Sequence, residues 1–211
     1  MITPPYFIAG IHGNEHIPVR VLQANTIPFI LGNPEALKRN VRFIEKDLNA
    51  SFGTYGLSLE EIRAKEILVE LNQKNPEWII DFHTTTAKTE PFAIVVSLDT
   101  VPFAKTLGLK HIVYMKYNIK GGHALINYYP GVSVEAGTHT GSETAPTVEA
   151  IIAASGHGKQ TEAIVYEVYE EISEEGLYEN FIMHEKGFIP VLAGETSYDF
   201  YGLKARILTI E

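Results

Sequence analysis

Three side chains in two separated segments are of the types that bind a catalytic metal ion. Residues 10–15 (GIHGNE) place His12 and Glu15 on a turn that enters a helix, and His83 directly follows the apolar segment 78–82. Two histidines and one carboxylate are a common catalytic zinc set because they leave a fourth position for water, whereas a closed structural site normally has four protein ligands. We predict that His12, Glu15 and His83 bind one zinc ion per chain, although these ligands also suit cobalt, manganese or iron.

Glu135 is the predicted general base. It follows the strand-like segment 131–134 and precedes Ala136-Gly137, so its carboxylate is presented where a strand stops. A carboxylate in a partly desolvated pocket has a raised pKa, which suits it to take a proton from water and to return it to a leaving amine. Taken alone, Glu135 fits a member of a buried ion pair or a solvated charge at a strand end better than it fits a general base. The prediction therefore depends on the metal ligands elsewhere in the chain.

The predicted secondary structure must bring these side chains together. Ser58 and Glu61 form a capping-box pattern that starts a helix ending near Lys74, and residues 161–171 (TEAIVYEVYEE) predict a second long helix. Strands alternating with helices indicate an α/β fold, in which functional groups gather at the carboxyl ends of the strands. Short apolar segments rich in β-branched or aromatic residues predict buried strands at 6–11, 27–31, 78–82, 92–98, 111–115 and 131–134.

The pattern changes after Gly176, where short strand-like segments at 188–192 and 205–210 are separated by Gly-containing turns. We predict a main domain over residues 1–175 that carries the metal site, and a short β-rich C-terminal extension over residues 176–211. Residues 116–130 have no clear period, and a loop of this kind often borders a functional site.

Composition excludes several classes of function. The 211 residues carry a formal net charge of −9 with scattered Lys and Arg, so no basic stripe is available for nucleic acid. The absence of cysteine excludes disulfides, thiolate catalysis and Cys-based metal sites. The first residues lack a signal-peptide pattern, and no apolar segment approaches 18 residues, so we expect a cytoplasmic protein without a membrane partner. The oligomeric state is not predicted.

Four motifs in this order resemble the aspartoacylase and succinylglutamate desuccinylase family, relatives of the zinc carboxypeptidases. The motifs are GIHGNE at 10–15, NPEA at 33–36 followed by DLN at 47–49, DFHTT at 81–85, and VEAG at 134–137. The resemblance implies a mixed central sheet flanked by helices and a zinc-dependent hydrolase that cleaves the amide bond of an N-acylated amino acid or a similar small amide.

The resemblance also implies roles for individual residues. It assigns the metal to His12, Glu15 and His83 and the general base to Glu135. Arg42 lies seven residues before Asn49, where the family places an arginine that polarises the scissile carbonyl. A fixed guanidinium there would stabilise the oxyanion by about 3 kcal/mol. Asn49 and Tyr198 match the family's substrate-binding asparagine and tyrosine.

Two departures from the family pattern concern substrate recognition. Ala50 occupies the position where the family usually has an arginine that clamps a substrate carboxylate, and residues 121–127 lack the arginine that acylaspartate enzymes often have. These two absences argue against acylaspartate specificity. Lys116, Lys120 or His123 could supply replacement charge. A carboxypeptidase acting on short peptides and a non-catalytic zinc- or ligand-binding relative remain alternative functions.

Overall fold

The apolar segments predicted as strands all form strands of one mixed sheet. The computed structural model describes residues 4–117 and 121–210, and within them the sheet has nine strands in the order β2-β1-β3-β6-β4-β5-β7-β9-β8. The strands are Tyr6–Ala9 (β1), Phe29–Leu31 (β2), Ile79–Thr85 (β3), Phe92–Val95 (β4), His111–Tyr114 (β5), Gly131–Thr138 (β6), Ile164–Glu171 (β7), Ile189–Val191 (β8) and Leu203–Ile207 (β9).

The direction of the sheet changes beside β6. Strands β2, β1, β3 and β6 run parallel, whereas β4 is antiparallel to β6 and parallel to β5, which in turn is parallel to β7. The carboxyl ends of β1 and β3 therefore reach the same edge of the sheet. In the register between β3 and β6, His83 lies opposite Glu135.

Helices cover both faces of the sheet. The α-helices of the described residues are His16–Ala24 (α1), Pro34–Arg39 (α2), Leu59–Lys74 (α3), Val101–Ala104 (α4) and Thr144–Ser155 (α5). Successive residues of a strand point to opposite faces. Accordingly, Ile80 packs with Leu22 of α1 and Ile151 of α5, while Ile79 packs with Ile67 and Leu71 of α3.

The predicted helix from Ser58 to about Lys74 is confirmed. Ser58 is the N-cap residue of α3: its side chain accepts from the Glu61 backbone N–H, and the Glu61 carboxylate accepts from the Ser58 N–H. Asn75 ends the helix in the left-handed conformation. Both ends of α3 therefore follow from local sequence.

The predicted helix over residues 161–171 is wrong, because residues 164–171 form β7. β7 pairs with β5 on one side and with β9 on the other, so its backbone groups are satisfied by neighbouring strands. Val165, Tyr166 and Val168 are buried, and the buried Glu167 accepts hydrogen bonds from Lys116 and Arg206. Pairing with neighbouring strands suits these β-branched and aromatic residues, so a strand forms where a helix was predicted.

The C-terminal segment is β-rich, as predicted. β9 pairs antiparallel with β7 and β8 pairs antiparallel with β9, so both extend the main sheet. The division at residue 175 stays a prediction. The α/β fold class with a mixed central sheet flanked by helices is confirmed. Among the described residues, no helix has the length and apolar character needed to cross a membrane.

Candidate metal centre and active site

The loop between β1 and α1 positions His12 and Glu15. A Cβ atom on Gly13 would lie 2.1 Å from the backbone carbon of Ala36, so only glycine lets this loop pack so closely against α2. The Gly13 N–H also donates to the backbone oxygen of Arg42 (3.0 Å). α1 begins at His16, which makes Glu15 its N-cap residue. The sequence GIHGNE is thus held in place from two sides.

The three predicted metal ligands converge. Glu15 Oε1 lies 2.8 Å from His12 Nδ1, and Glu15 Oε2 lies 3.3 Å from His83 Nδ1. All three residues are buried, and each offers one ligand atom within 4.8 Å of the other two. Glu15 Oε2 makes no contact with hydrogen-bond geometry within the described residues. A buried anionic oxygen without a hydrogen bond, beside two imidazole nitrogens, fits a divalent cation.

The charges of the site lead to the same conclusion. Burial disfavours the charged form of Glu15, but the imidazoles of His12 and His83 outweigh it and lower the pKa of the carboxyl group far below its ordinary value. At His83 burial is likewise outweighed, here by Asp81 and Glu15, which raise the pKa of the imidazole well above its ordinary value. In the protein without a metal, a proton on His83 therefore balances the negative charges of Asp81 and Glu15. A bound cation would replace that proton.

Two further carboxylates orient the histidines. Asp81 Oδ2 lies 2.7 Å from His83 Nε2, and Asp47 Oδ1 lies 3.1 Å from His12 Nε2. Each contact engages the ring nitrogen that faces away from Glu15, so Nδ1 of each histidine is the atom available to a metal. Asp47 lies in the DLN motif and Asp81 in the DFHTT motif, but the motifs alone predict no role for either aspartate.

Glu135 lies beside this cluster. Burial raises the pKa of its carboxyl group to about 7, with the nearby carboxylates of Glu15 and Glu195 adding to the effect and His83 opposing it. Its Oε2 is buried without a hydrogen-bond partner among the described residues. A carboxyl group that titrates near neutral pH is suited to accept and release a proton.

One cavity brings all the predicted site residues together. The empty space in it is about 630 Å³, a figure that includes space open to solvent. Seven of its lining residues are those predicted from the sequence: His12, Glu15, Arg42, Asn49, His83, Glu135 and Tyr198.

Arg42, the predicted oxyanion residue, and Asn49, a predicted substrate-binding residue, are held by specific contacts. Arg42 Nη2 donates to Asp47 Oδ2 (3.3 Å). The Leu125 N–H donates to Asn49 Oδ1 (3.2 Å), which fixes the orientation of the amide and leaves its NH₂ group as a donor. Burial raises the pKa of the Tyr198 phenol far above its ordinary value, and Glu135 adds to this shift. Tyr198 is therefore neutral at physiological pH.

Two of the three predicted sources of replacement positive charge, Lys116 and His123, do not line the cavity. Lys116 Nζ donates to Glu167 Oε1 (3.0 Å), and Nδ1 of His123 contacts the backbone oxygen of Phe52 (2.8 Å). Lys120 lies outside the described residues. Of the described lining residues, Arg42 alone is a lysine or arginine.

Glu195, three residues before Tyr198, is a lining residue that the sequence motifs did not predict. Its Oε2 accepts from Thr85 Oγ1 (2.6 Å) and from the Thr86 N–H (2.8 Å), and its Oε1 accepts from the Ser197 N–H (2.9 Å). Burial opposes ionisation, but these hydrogen bonds outweigh it and lower the pKa of Glu195 to about 2. Glu195 thereby ties the segment that carries Tyr198 to the end of β3.

We expect Glu195 to contribute to stability in a pH-dependent way. Because its pKa is lower in the folded protein than in the unfolded chain, its contribution is complete above about pH 5 and is lost as the pH falls towards 2. Glu195→Gln should lower the free energy of unfolding by about 1–3 kcal/mol at pH 7 and flatten its decrease between pH 5 and 2. Urea unfolding at several pH values measures both effects. A variant with the wild-type slope would contradict this role.

Glu60, in the first turn of α3, organises the loop that carries Arg42 and Asp47. Its carboxylate accepts hydrogen bonds from three consecutive backbone N–H groups, those of residues 44–46, at 2.7, 3.2 and 3.2 Å. Asn33, the N-cap residue of α2, also donates from its Nδ2 to Glu60 Oε1 (3.1 Å). Burial opposes ionisation of Glu60, but these bonds outweigh it and lower its pKa.

Replacing Glu60 with glutamine should loosen this loop. The amide NH₂ would face backbone donors, so we expect a loss of about 1–3 kcal/mol in the free energy of unfolding and a decrease in turnover. Glu66→Gln, on the exposed side of the same helix, is the matched control. Urea unfolding and steady-state kinetics test the prediction. Equal stability of the two variants would contradict the role given to Glu60.

Solved structures share the fold of this protein. The crystal structure of murine aminoacylase 3 superposes with a TM-score of 0.74 at 15% identity, covering 99% of this chain and 96% of that one. A succinylglutamate desuccinylase structure from Vibrio parahaemolyticus gives a TM-score of 0.71 at 17% identity, covering 99% and 82%. At this identity the likeness defines the fold alone.

The sequence comparisons define the family. Residues 5–149 match the succinylglutamate desuccinylase/aspartoacylase catalytic domain, so the chain belongs to that family, as its motifs predicted. A probable aspartoacylase from Nostoc sp. is 39% identical over 101 residues, which cover 38% of this chain and 34% of that protein. A succinylglutamate desuccinylase from Pseudomonas paraeruginosa is 39% identical over 75 residues, covering 28% and 23%. The chain thus spans about a third or less of these two relatives.

Proposed function

We propose that this protein is a zinc-dependent hydrolase that cleaves the amide bond of an N-acylated amino acid or a similar small amide. The observation that carries the proposal is the convergence of His12, Glu15 and His83 in one cavity with Glu135 and Arg42. Membership of the succinylglutamate desuccinylase/aspartoacylase family supports the same reaction class.

His12, Glu15 and His83 would hold the metal, with Asp47 and Asp81 fixing the orientation of the two rings. When bound, zinc supplies a Lewis acid that polarises a carbonyl group and lowers the pKa of a water molecule. Two nitrogens and one carboxylate are the ligand set of many catalytic zinc sites, and they leave a coordination position for water or substrate.

Glu135 moves the proton. Its carboxylate takes a proton from the water that attacks the acyl carbon and delivers it to the amide nitrogen as the carbon–nitrogen bond breaks. The products are a carboxylic acid and an amine. A pKa of about 7 supports both halves of this transfer, because the group exchanges a proton readily near neutral pH.

Arg42 and Asn49 would orient and stabilise the reacting amide. The Arg42 guanidinium lines the cavity and is fixed by Asp47, so it can face the oxygen on which negative charge develops without a large rearrangement. Asn49 presents its NH₂ group because its oxygen is already engaged by the Leu125 N–H. We propose Tyr198 as a neutral hydrogen-bond donor to the substrate.

Assays of zinc-loaded protein on a panel of amides test the proposed function. The panel contains N-acetyl and longer N-acyl amino acids, together with unblocked dipeptides and tripeptides. We expect amine release from N-acyl amino acids and little from peptides, because family membership supports deacylation of amino acids rather than peptide cleavage. Preferential cleavage of C-terminal residues from peptides would favour a carboxypeptidase, and binding without turnover of any amide would favour a non-catalytic protein.

A further inference from the structure

Six apolar side chains line the described part of the cavity and are here called its apolar wall; beyond the residues of the proposed mechanism, the other lining residues are Thr84, Asn127, Ser133, Glu195 and Ser197. The wall is formed by side chains from β4, from the segments that follow β4, β5 and β8, and from the turn at residues 124–127. These side chains are Ile94, Val96, Met115, Ala124, Ile126 and Leu192. Binding is favoured when an apolar substrate group is buried against these side chains. It is disfavoured when a charged group has to be desolvated there.

The charges around the cavity disfavour an additional substrate carboxylate. Glu135 and Glu195 both line the cavity, and Glu195 carries its charge on a carboxylate fixed by three hydrogen bonds. Arg42, the one lysine or arginine among the described lining residues, is already engaged with Asp47. A second carboxylate would therefore meet carboxylates, apolar side chains and the uncharged polar side chains of Thr84, Asn127, Ser133 and Ser197 rather than a guanidinium fork.

We propose that the substrate group lying against this wall is uncharged and apolar, an aliphatic or aromatic acyl chain or side chain, rather than the second carboxylate of a dicarboxylic substrate. This inference rests on the hydrolase function proposed above. It concerns the chemistry of the group and not which side of the amide bond carries it, so the test includes substrates of both kinds.

The first experiment compares three groups of amides with zinc-loaded protein. N-acylglycines of increasing chain length place the apolar group on the acyl side, N-acetyl-leucine and N-acetyl-phenylalanine place it on the amine side, and N-acetyl-aspartate and N-succinyl-glutamate carry the second carboxylate. In one of the two apolar substrate sets, acyl-side or amine-side, we expect kcat/KM to rise about fourfold per added methylene until the wall is covered. We expect the dicarboxylic amides to be at least about tenfold poorer. A preference for them would overturn the inference.

Binding separates this inference from the proposed function. Calorimetry with the zinc-loaded Glu135→Gln variant measures the affinity of the same amides without turnover. Tighter binding of apolar amides supports the wall inference even when the wild-type protein hydrolyses none of them, which would refute the hydrolase proposal. Tighter binding of dicarboxylic amides overturns the inference whether or not hydrolysis occurs.

Two substitutions test the wall itself. Val96→Thr keeps the shape of the side chain and adds a hydroxyl, and Met115→Gln replaces a thioether with an amide of similar length. Each should lower the ratio of apolar to dicarboxylic kcat/KM about fivefold, because a polar group then has to be desolvated by an apolar substrate. Val69→Thr, on the exposed face of α3, is the matched control and should keep the wild-type ratio. An unchanged ratio in a folded wall variant would contradict the inference, and melting temperatures confirm folding.

Discussion

Glu135→Gln is expected to keep the metal and the fold while lowering kcat about 1000-fold. Glutamine has nearly the same shape but cannot accept the proton of the attacking water, and general acid–base catalysis typically contributes about 10²–10⁴ in rate. The fold should survive, because the change removes a carboxyl group whose ionisation burial disfavours. Steady-state kinetics on the best N-acyl substrate and metal analysis of the same sample test both parts.

The control for this variant is Glu149→Gln, which makes the same chemical change on the exposed side of α5. It should retain wild-type turnover. If Glu135→Gln lost its metal, the decrease in rate would report on the metal site rather than on proton transfer. Retained turnover in the metal-loaded Glu135→Gln variant would remove Glu135 from the mechanism.

Glu15→Gln is expected to abolish tight metal binding and, with it, activity. Glu15 contributes the one negative charge among the three ligands and contacts both histidines, so its neutralisation removes a ligand and disturbs the other two. We expect metal affinity to fall at least about 100-fold, because loss of a partner that only orients a ligand already costs about 10–100-fold.

Thermal unfolding with and without zinc measures this effect. A ligand at 100 times its Kd stabilises the folded state by about 2.7 kcal/mol, so wild-type protein should melt at a higher temperature when zinc is added and lose that gain with a chelator. Glu15→Gln should lack the zinc-dependent shift, whereas Glu149→Gln should keep it. A full shift in Glu15→Gln would contradict the role of Glu15 as a ligand.

Local sequence was sufficient for the elements whose pattern agrees with their tertiary surroundings. The capping box of α3 and the short β-branched segments of the sheet are examples, because their backbone geometry and burial favour the same structure. Residues 161–171 are the exception. They were predicted to form a helix, but Glu167 is buried and paired with Lys116 and Arg206, and β7 is stabilised by strands distant in sequence.

The candidate site was predictable to the extent that motifs carry its reactive groups. All seven predicted residues line one cavity, because strand ends and the loop after β1 bring distant motifs to one edge of the sheet. The residues that support them could not be assigned. Asp47, Glu60 and Glu195 act through contacts with distant residues, and nothing in their own sequence neighbourhood specifies those partners.

The apolar wall of the cavity was also hidden in the sequence. Ile94 and Val96 look like ordinary residues of a buried strand, and Met115 continues another. Only the antiparallel placement of β4 beside β6 turns these side chains towards the carboxylate that is proposed as the base. The sequence therefore indicates that the arginine clamp is missing, but it does not indicate which side chains line the cavity instead.

The most direct test of the metal centre is anomalous scattering from crystals of the zinc-loaded protein, recorded on both sides of the zinc absorption edge. We predict one strong peak per chain, about 2.0–2.2 Å from Nδ1 of His12, Nδ1 of His83 and a carboxylate oxygen of Glu15. A zinc peak at another place, or none in this cavity at full zinc occupancy of the sample, would contradict the proposed centre and the hydrolase mechanism that depends on it.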